Sequence, residues 1–186
     1  MNDTITAIST TLGIGAISII RVSGKEAIEK VNNITSINLK EKQTHTVNYG
    51  YIIENNNIID EVLITIMKAP KTFTTEDIVE INCHGGLATT EKVLELVLKQ
   101  GIRLAEPGEF TKRAFLNGRI DLTKSQAVND LINAKTDKAR QIVINNLTGT
   151  TTNKIKKLRE KLVQIISNIE VNIDYPEYQD IEEMTT

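Results

Sequence analysis

Glu80, Asn82 and His84 alternate along a β-rich run, Ile78 to His84, and Gly85-Gly86 follows at once. A strand period of two puts these three polar side chains on one face and Val79, Ile81 and Cys83 on the other. Three polar groups on one strand face seldom sit in an apolar core, where each would need a partner. One reading is a polar wall above a glycine floor. There a carboxylate accepts two parallel hydrogen bonds from the ring N–H and amino group of a planar heterocycle. The plainer reading is an edge strand whose polar face meets water, and spacing alone leaves both open. Arg21, carried by the otherwise apolar run Ala16 to Val22, has the same two readings: a salt bridge to Glu80, or a contact to a ligand oxygen. Arg119 follows the turn Asn117-Gly118 and is placed to close such a pocket.

Other chemistries find little support. Cys83 and His84 are adjacent on a strand and point to opposite faces, so a thiolate–imidazole pair is disfavoured and a buried structural cysteine preferred. One cysteine and two histidines, His45 and His84, do not make a zinc site of ordinary composition, and no metal ligand is expected. The chain has neither a G-x-x-x-x-G-K-[ST] phosphate loop nor a G-x-S-x-G elbow, and no residue is singled out as catalytic. A formal net charge of -2 lacks the overall basic footprint of a dedicated nucleic-acid binder. The cations Lys154, Lys156, Lys157, Arg159 and Lys161 read as a solvated helix face. No run is long and apolar enough to span a bilayer, no secretory leader pattern opens the chain, and a cytoplasmic location is expected.

The elements that must position these residues change character along the chain. Strands are expected over Asp3 to Thr10, Ala16 to Val22, Thr46 to Ile53, Ile58 to Met67, Ile78 to His84 and Ile102 to Ala105, with Asn55-Asn56-Asn57 as a hairpin loop. Ser23 with Glu26 resembles a capping box opening a short helix with Ala27, Ile28 and Val31 buried. Leu87 to Gln100 reads as a helix buried through Val93, Leu94, Val97 and Leu98; strand, glycine turn and helix together can turn backbone N–H groups toward an anion. Pro107 to Ile132 is a shaped junction, with a brief helix over Thr111 to Leu116. From Thr123 onward the period is helical throughout, over a helix opened by a Thr123/Gln126 box, Asp137 to Leu147, and Asn153 to Ile173. In the last, Ile155, Leu158, Leu162, Ile165, Ile169 and Ile173 form one seam suited to burial in a bundle. After Pro176 the chain is acidic, as a tail or linker would be.

The segments DTITAIST, GAISIIRVSG, PKTFTTEDIVEINCHGG and AEPGEFTKRAFLNGRIDL closely resemble, in order, the N-terminal part of the bacterial and organellar tRNA-modification GTPase family known as MnmE or TrmE. NIDYPEY, Asn172 to Tyr178, resembles the stretch shortly before that family's GTPase domain. The resemblance implies an α+β fold. A mixed α/β tetrahydrofolate-binding-like, dimerising domain over residues 1–118 precedes an all-α segment over 119–186, the first part of a helical domain interrupted by an inserted GTPase domain. Folate contacts then fall on Arg21, Glu80 and Arg119, with the turn His84, Gly85 and Gly86 nearby. The ligand expected is a 5-formyl- or 5,10-methylene-tetrahydrofolate; GTP, magnesium and potassium belong to the GTPase domain, so this chain should not hydrolyse GTP.

The partners implied are a second copy of the chain, the flavin-dependent MnmG or GidA protein, and tRNA, whose wobble uridine receives an aminomethyl or carboxymethylaminomethyl group. No membrane partner is expected. The chain departs from the family pattern at Arg119, where many members carry Lys, at the apolar loop Thr11 to Gly15, and at Lys124-Ser125-Gln126, where Gln-Ala-Glu is usual. The apolar loop motivates an alternative, a non-catalytic dimerisation or interaction module with a degenerate folate pocket. A stand-alone aminomethyltransferase is the third reading, and it lacks an evident acid or nucleophile.

Overall fold

The computed structural model describes residues 3–174. The acidic segment after Pro176 and the last part of the NIDYPEY motif lie outside the described residues. The fold is α+β, and the chain divides into two compact units, Met1–Ile120 and Asp121–Thr186.

The first unit contains strands β1 (Ile5–Ile8), β2 (Ile17–Ser23), β3 (Thr46–Glu54), β4 (Asn57–Met67), β5 (Ile78–His84) and β6 (Arg103–Leu104), with helices α1 (Ala27–Asn32), α2 (Leu87–Lys99) and α3 (Glu109–Leu116). The strands form one sheet in the order β3-β4-β5-β2-β1-β6. Every pairing is antiparallel except β1 with β6. Period-two alternation sends Ile20 and Val22, Val62, Ile64 and Ile66, and Val79, Ile81 and Cys83 to one face. There they pack with Ala27 and Val31 of α1 and with Val93, Leu96 and Val97 of α2. The buried stripe of α2 thus runs through Thr90, Val93, Leu96 and Val97. Leu94 packs only partly against the core. The opposite face of the sheet carries the polar residues of the candidate site.

Local chemistry shifts several expected boundaries. Ser23 does not cap α1: its hydroxyl is drawn to Thr74 Oγ1 at 2.7 Å and Glu76 Oε2 at 2.8 Å, and Ser23 ends β2. The β3–β4 loop shrinks to Asn55-Asn56, both left-handed at φ 50° and 66°, while Asn57 pairs with Glu54. Two left-handed residues are what a tight hairpin demands, and Asn adopts that conformation more readily than most side chains. Helix α3 begins at Glu109, earlier than its apolar pattern suggests, because left-handed Gly108 turns the chain and Glu109 is held by two arginines.

Those two arginines organise the end of the unit. Arg113, only 1% exposed, donates to Asp3 O at 2.8 Å, to Asp3 Oδ1 at 2.9 Å, and to Glu76 Oε1 and Oε2 at 3.2 and 3.3 Å. It also reaches Glu109 Oε1 at 3.4 Å. Arg103 grips the same Glu109 with two nitrogens at 2.6 and 3.1 Å and Asp3 with two more contacts at 2.7 and 3.0 Å. Glu109 Oε2 in addition accepts the Glu106 backbone N–H at 2.7 Å. This network ties α3 to the N-terminal segment, to β6 and to the loop before β5. The Arg103 hydrogen bonds, more than any other influence, hold the Glu109 carboxyl down at about 2.

The second unit contains α4 (Leu122–Asn133), α5 (Asp137–Leu147) and α6 (Thr150–Asp174). Its first cap is Asp121, not the Thr123/Gln126 pair: Asp121 Oδ1 accepts from Lys124 N at 2.8 Å and Oδ2 from Thr152 Oγ1 at 2.9 Å. Gln126 instead donates to Asp130 one turn along. Ala127 and Val143 are buried, but α6 buries no residue. The expected seam is present in sequence and unburied among the described residues: Ile155, Leu158, Leu162, Ile169 and Ile173 are exposed and Ile165 is half-buried.

Removing the guanidinium in Arg113→Ala leaves the buried Glu109 short of a charge partner, and unfolding by urea should show a loss of roughly 3–5 kcal/mol. Glu109 has a folded pKa of about 2 against an ordinary 4.5. Its contribution is therefore fully present above pH ~4.5 and lost as pH falls toward ~2. Thermal melts of Glu109→Gln should show that acid limb flattened relative to the unaltered chain.

Candidate functional site on the open face of the sheet

Strand β5 is not an edge strand. It lies between β4 and β2, so the polar face of Glu80, Asn82 and His84 belongs to the middle of the sheet. Registers set the side chains in transverse rows: Val47, Thr65, Glu80 and Arg21 in one, and Tyr49, Leu63, Asn82 and Ile19 in the next. His84 stands opposite Ile17 at the end of the face. No helix of the core cluster covers these rows, and Ile17, Val47, Tyr49 and Leu63 are exposed.

Arg21 and Glu80, directly cross-strand, form an ion pair. Arg21 Nε and Nη2 both approach Glu80 Oε1 at 2.7 Å, with side chains 31% and 20% exposed. Both donors thus fall on one carboxylate oxygen, and Oε2 has no protein partner among the described residues. The Arg21 guanidinium also lies 5.7 Å from the ring centroid of Phe110 on α3. Arg119 is exposed and stands over Phe73, 5.1 Å from its ring centroid. Its backbone N–H bonds Ala114 O at 3.0 Å, and Asn117 Nδ2 donates to Thr74 O at 2.6 Å, pinning this turn to the loop that bears Phe73.

The other residues meet different partners. Asn82 donates to Leu63 O at 3.0 Å. His84, an exposed ring, is held by Asp60: Oδ1 meets Nδ1 at 2.7 Å and Oδ2 accepts the His84 backbone N–H at 2.8 Å. Cys83 faces the core, and burial, reinforced by Asp60, pushes its thiol up. Tyr49 and Tyr51 hydroxyls meet at 2.7 Å, which pushes the Tyr49 phenol above its ordinary range. His45 lies away from the site, bonded to Thr44 and to Lys71 O.

Two cavities border this region. One, of about 320 Å³, is lined by Ile17, Tyr49, Glu61, Leu63, Asn82 and His84 among others. The second, of about 350 Å³, lies between the loop Thr10 to Gly15 and the start of α2, with Ser18, Gly85 and Thr90 in its wall. Arg21, Glu80 and Arg119 line neither. The structure therefore joins Arg21 to Glu80, puts Asn82 and His84 in one cavity wall and Gly85 in the other, and seats Arg119 on a separate aromatic ring. Asp60, Phe110 and Phe73 were not anticipated. For Asp60 a signal existed, since Asp60-Glu61 interrupts an otherwise apolar strand.

The two glycines differ. Gly85 exchanges hydrogen bonds with the β1–β2 loop, from Gly15 N to Gly85 O and from Gly85 N to Ala16 O, each 3.2 Å. A Cβ on Gly85 would fall 2.5 Å from Gly15 O, whereas one on Gly86 would meet nothing nearer than Thr89 Oγ1 at 3.7 Å.

Comparison with known proteins fixes the kinship. Residues 4–119 match the family model described as the GTP-binding protein TrmE N-terminus, and residues 122–186 match that of the MnmE helical domain. The chain belongs to the TrmE/MnmE family. It is 59% identical over 186 residues to the tRNA modification GTPase MnmE of Bacillus cytotoxicus, covering 98% of this chain and 41% of that protein. To the protein of the same name from Streptococcus thermophilus it is 58% identical over 185 residues, covering 99% and 41%. The chain thus spans about two fifths of the length of these curated relatives.

Gly85→Ala must displace a backbone carbonyl, and differential scanning should show a clear drop in melting temperature, on the scale of the roughly 1–3 kcal/mol that overpacking costs. Gly86→Ala should change stability by less than about 1 kcal/mol by the same measurement.

Proposed function

We propose that this chain is the N-terminal portion of a tRNA-modification GTPase of the TrmE/MnmE family, and that residues 1–118 bind a tetrahydrofolate one-carbon donor and dimerise. Residues 119–186 are then the first part of the helical domain. The supporting observation is the Arg21–Glu80 pair, which stands on the polar face of a central strand inside the region matched by the TrmE N-terminal model.

The residues present fit a pterin. Glu80 keeps one carboxylate oxygen without a protein partner and is only 20% exposed, so a heterocycle N–H can bond it without first displacing Arg21. Arg21 keeps that carboxylate charged and oriented, and Phe110 and Phe73 offer aromatic faces beside the two cations. Arg119 is the second cation for ring or tail oxygens, and His84, Gly85 and Gly86 form the neighbouring turn. When bound, the folate supplies the one-carbon unit. In the whole protein, a second copy of the chain, a flavin-dependent MnmG or GidA partner and a GTPase domain using GTP, magnesium and potassium complete the modification of the tRNA wobble uridine in the cytoplasm. Residues 3–174 include no helix long and apolar enough to cross a membrane.

One observation favours a second reading, a dimerisation module with a degenerate folate pocket. In the β1–β2 loop, Leu12 is 63% exposed and Ile14 fully so, an apolar presentation suited to a protein surface.

Calorimetric titration with 5-formyltetrahydrofolate separates the two. The first reading expects saturable binding that Glu80→Ala abolishes and Arg119→Ala weakens. A stable dimer in sedimentation with no heat of folate binding establishes the second, and binding unchanged in Glu80→Ala removes the site assignment.

A further inference from the structure

We propose that the first half of α6 carries a contact stripe for the phosphate backbone of RNA, formed by Lys154, Lys157 and Lys161; the choice of RNA rests on the reading of this chain as part of a tRNA-modifying protein. These lysines fall at i, i+3 and i+7, on one side of the helix. At 1.5 Å rise per residue the stripe spans about 10 Å, the reach of about three successive phosphates along one strand. All three are exposed, and none has a carboxylate within ion-pair distance among the described residues. Lysines of α2 behave otherwise: Lys92 and Lys99 are both locked to Glu54 and Glu95. Lys156 and Arg159 stand on the other side of α6, likewise without ion pairs among the described residues, and Glu160 is the only acid between Thr150 and Asn168. Five cations and one acid thus stand on the first half of α6, in a chain whose net charge is -2.

An anionic membrane is the competing surface for a basic amphipathic helix. Two features of α6 disfavour it. The helix has no aromatic residue to seat at a lipid interface. Its apolar side continues to Ile173, and there Glu170 flanks it and would be repelled by an anionic surface. A nucleic acid needs only the basic half. Lysine supplies point charges without base reading, so the stripe contributes affinity and orientation rather than sequence selectivity.

The test is fluorescence anisotropy of a labelled, unmodified tRNA transcript titrated with the chain between 50 and 200 mM salt. Lys154→Ala/Lys157→Ala/Lys161→Ala should weaken binding roughly tenfold or more and reduce the magnitude of the log–log salt slope by about two to three. Alanine keeps helix propensity, so circular dichroism should be unchanged. A charge-matched control, Lys25→Ala/Lys71→Ala/Lys112→Ala, should bind like the unaltered chain. The proposal is overturned if the unaltered chain binds no tRNA, if the stripe variant binds as tightly, or if the control loses as much. It is also overturned if the stripe governs attachment to phosphatidylserine vesicles and not to tRNA. None of these outcomes bears on folate titration, so failure here leaves the pocket assignment standing.

Discussion

The ion-pair network around Arg113 is the constraint on which the α/β unit depends. A guanidinium 1% exposed is expensive to bury, and only multiple charged partners make it tolerable. The partners come from distant parts of the sequence: Asp3 before β1, Glu76 in the loop before β5, and Glu109 at the start of α3. Satisfying one buried charge therefore fixes three segments at once. Two of those segments carry the aromatic rings of the site, Phe73 three residues before Glu76 and Phe110 next to Glu109. The positions of the rings beside Arg119 and Arg21 are thereby tied to the ion pairs that Arg113 makes with Glu76 and Glu109.

The two arginines of the site differ from Arg113 in kind. Arg21 is half-screened, directs two donors to one oxygen of Glu80 and leaves the other oxygen without a protein partner among the described residues. A pair of that geometry gains little stability near solvent, where such bridges contribute about 0–1 kcal/mol. It does preset the direction of a carboxylate, which matters for a ligand with directional donors. Arg113 anchors, whereas Arg21 orients. Sequence spacing does not separate these roles, because each residue lies in a run with nearby apolar positions.

Legibility followed the range of the interactions involved. Period-two alternation exposed the core face of β2 and β5, and with it the outward Glu80, Asn82 and His84, because side-chain direction in a strand is local. That β5 is central depends on strand order, set by pairings between residues dozens apart, so the edge-strand reading failed. Ser23 and Thr123 had capping spacing, yet Ser23 was claimed by Glu76 and Asp121 took the cap of α4. Local motifs yield wherever a charged or better-placed competitor arrives from elsewhere in the fold. The resemblance to the TrmE/MnmE family chose among the readings that spacing left open for Arg21, Glu80 and Arg119. The first two are an ion pair, while Arg119 meets Phe73.

The two units close their apolar surfaces to different degrees, and the reason is visible in their patterns. In the sheet unit each strand needs cover on only one face, and α1 and α2 provide it through short apolar stripes such as Val93, Leu96 and Val97. The open face can then afford polar rows. In the helical unit the seam of α6 runs from Ile155 to Ile173 of a 25-residue helix, whereas α4 and α5 each bury a single residue. So long a stripe exceeds what two short helices can cover. Helical propensity and the caps at Asp121 and Thr136 hold the local structure, but the apolar content of α6 is set for a larger partner surface than α4 and α5 present.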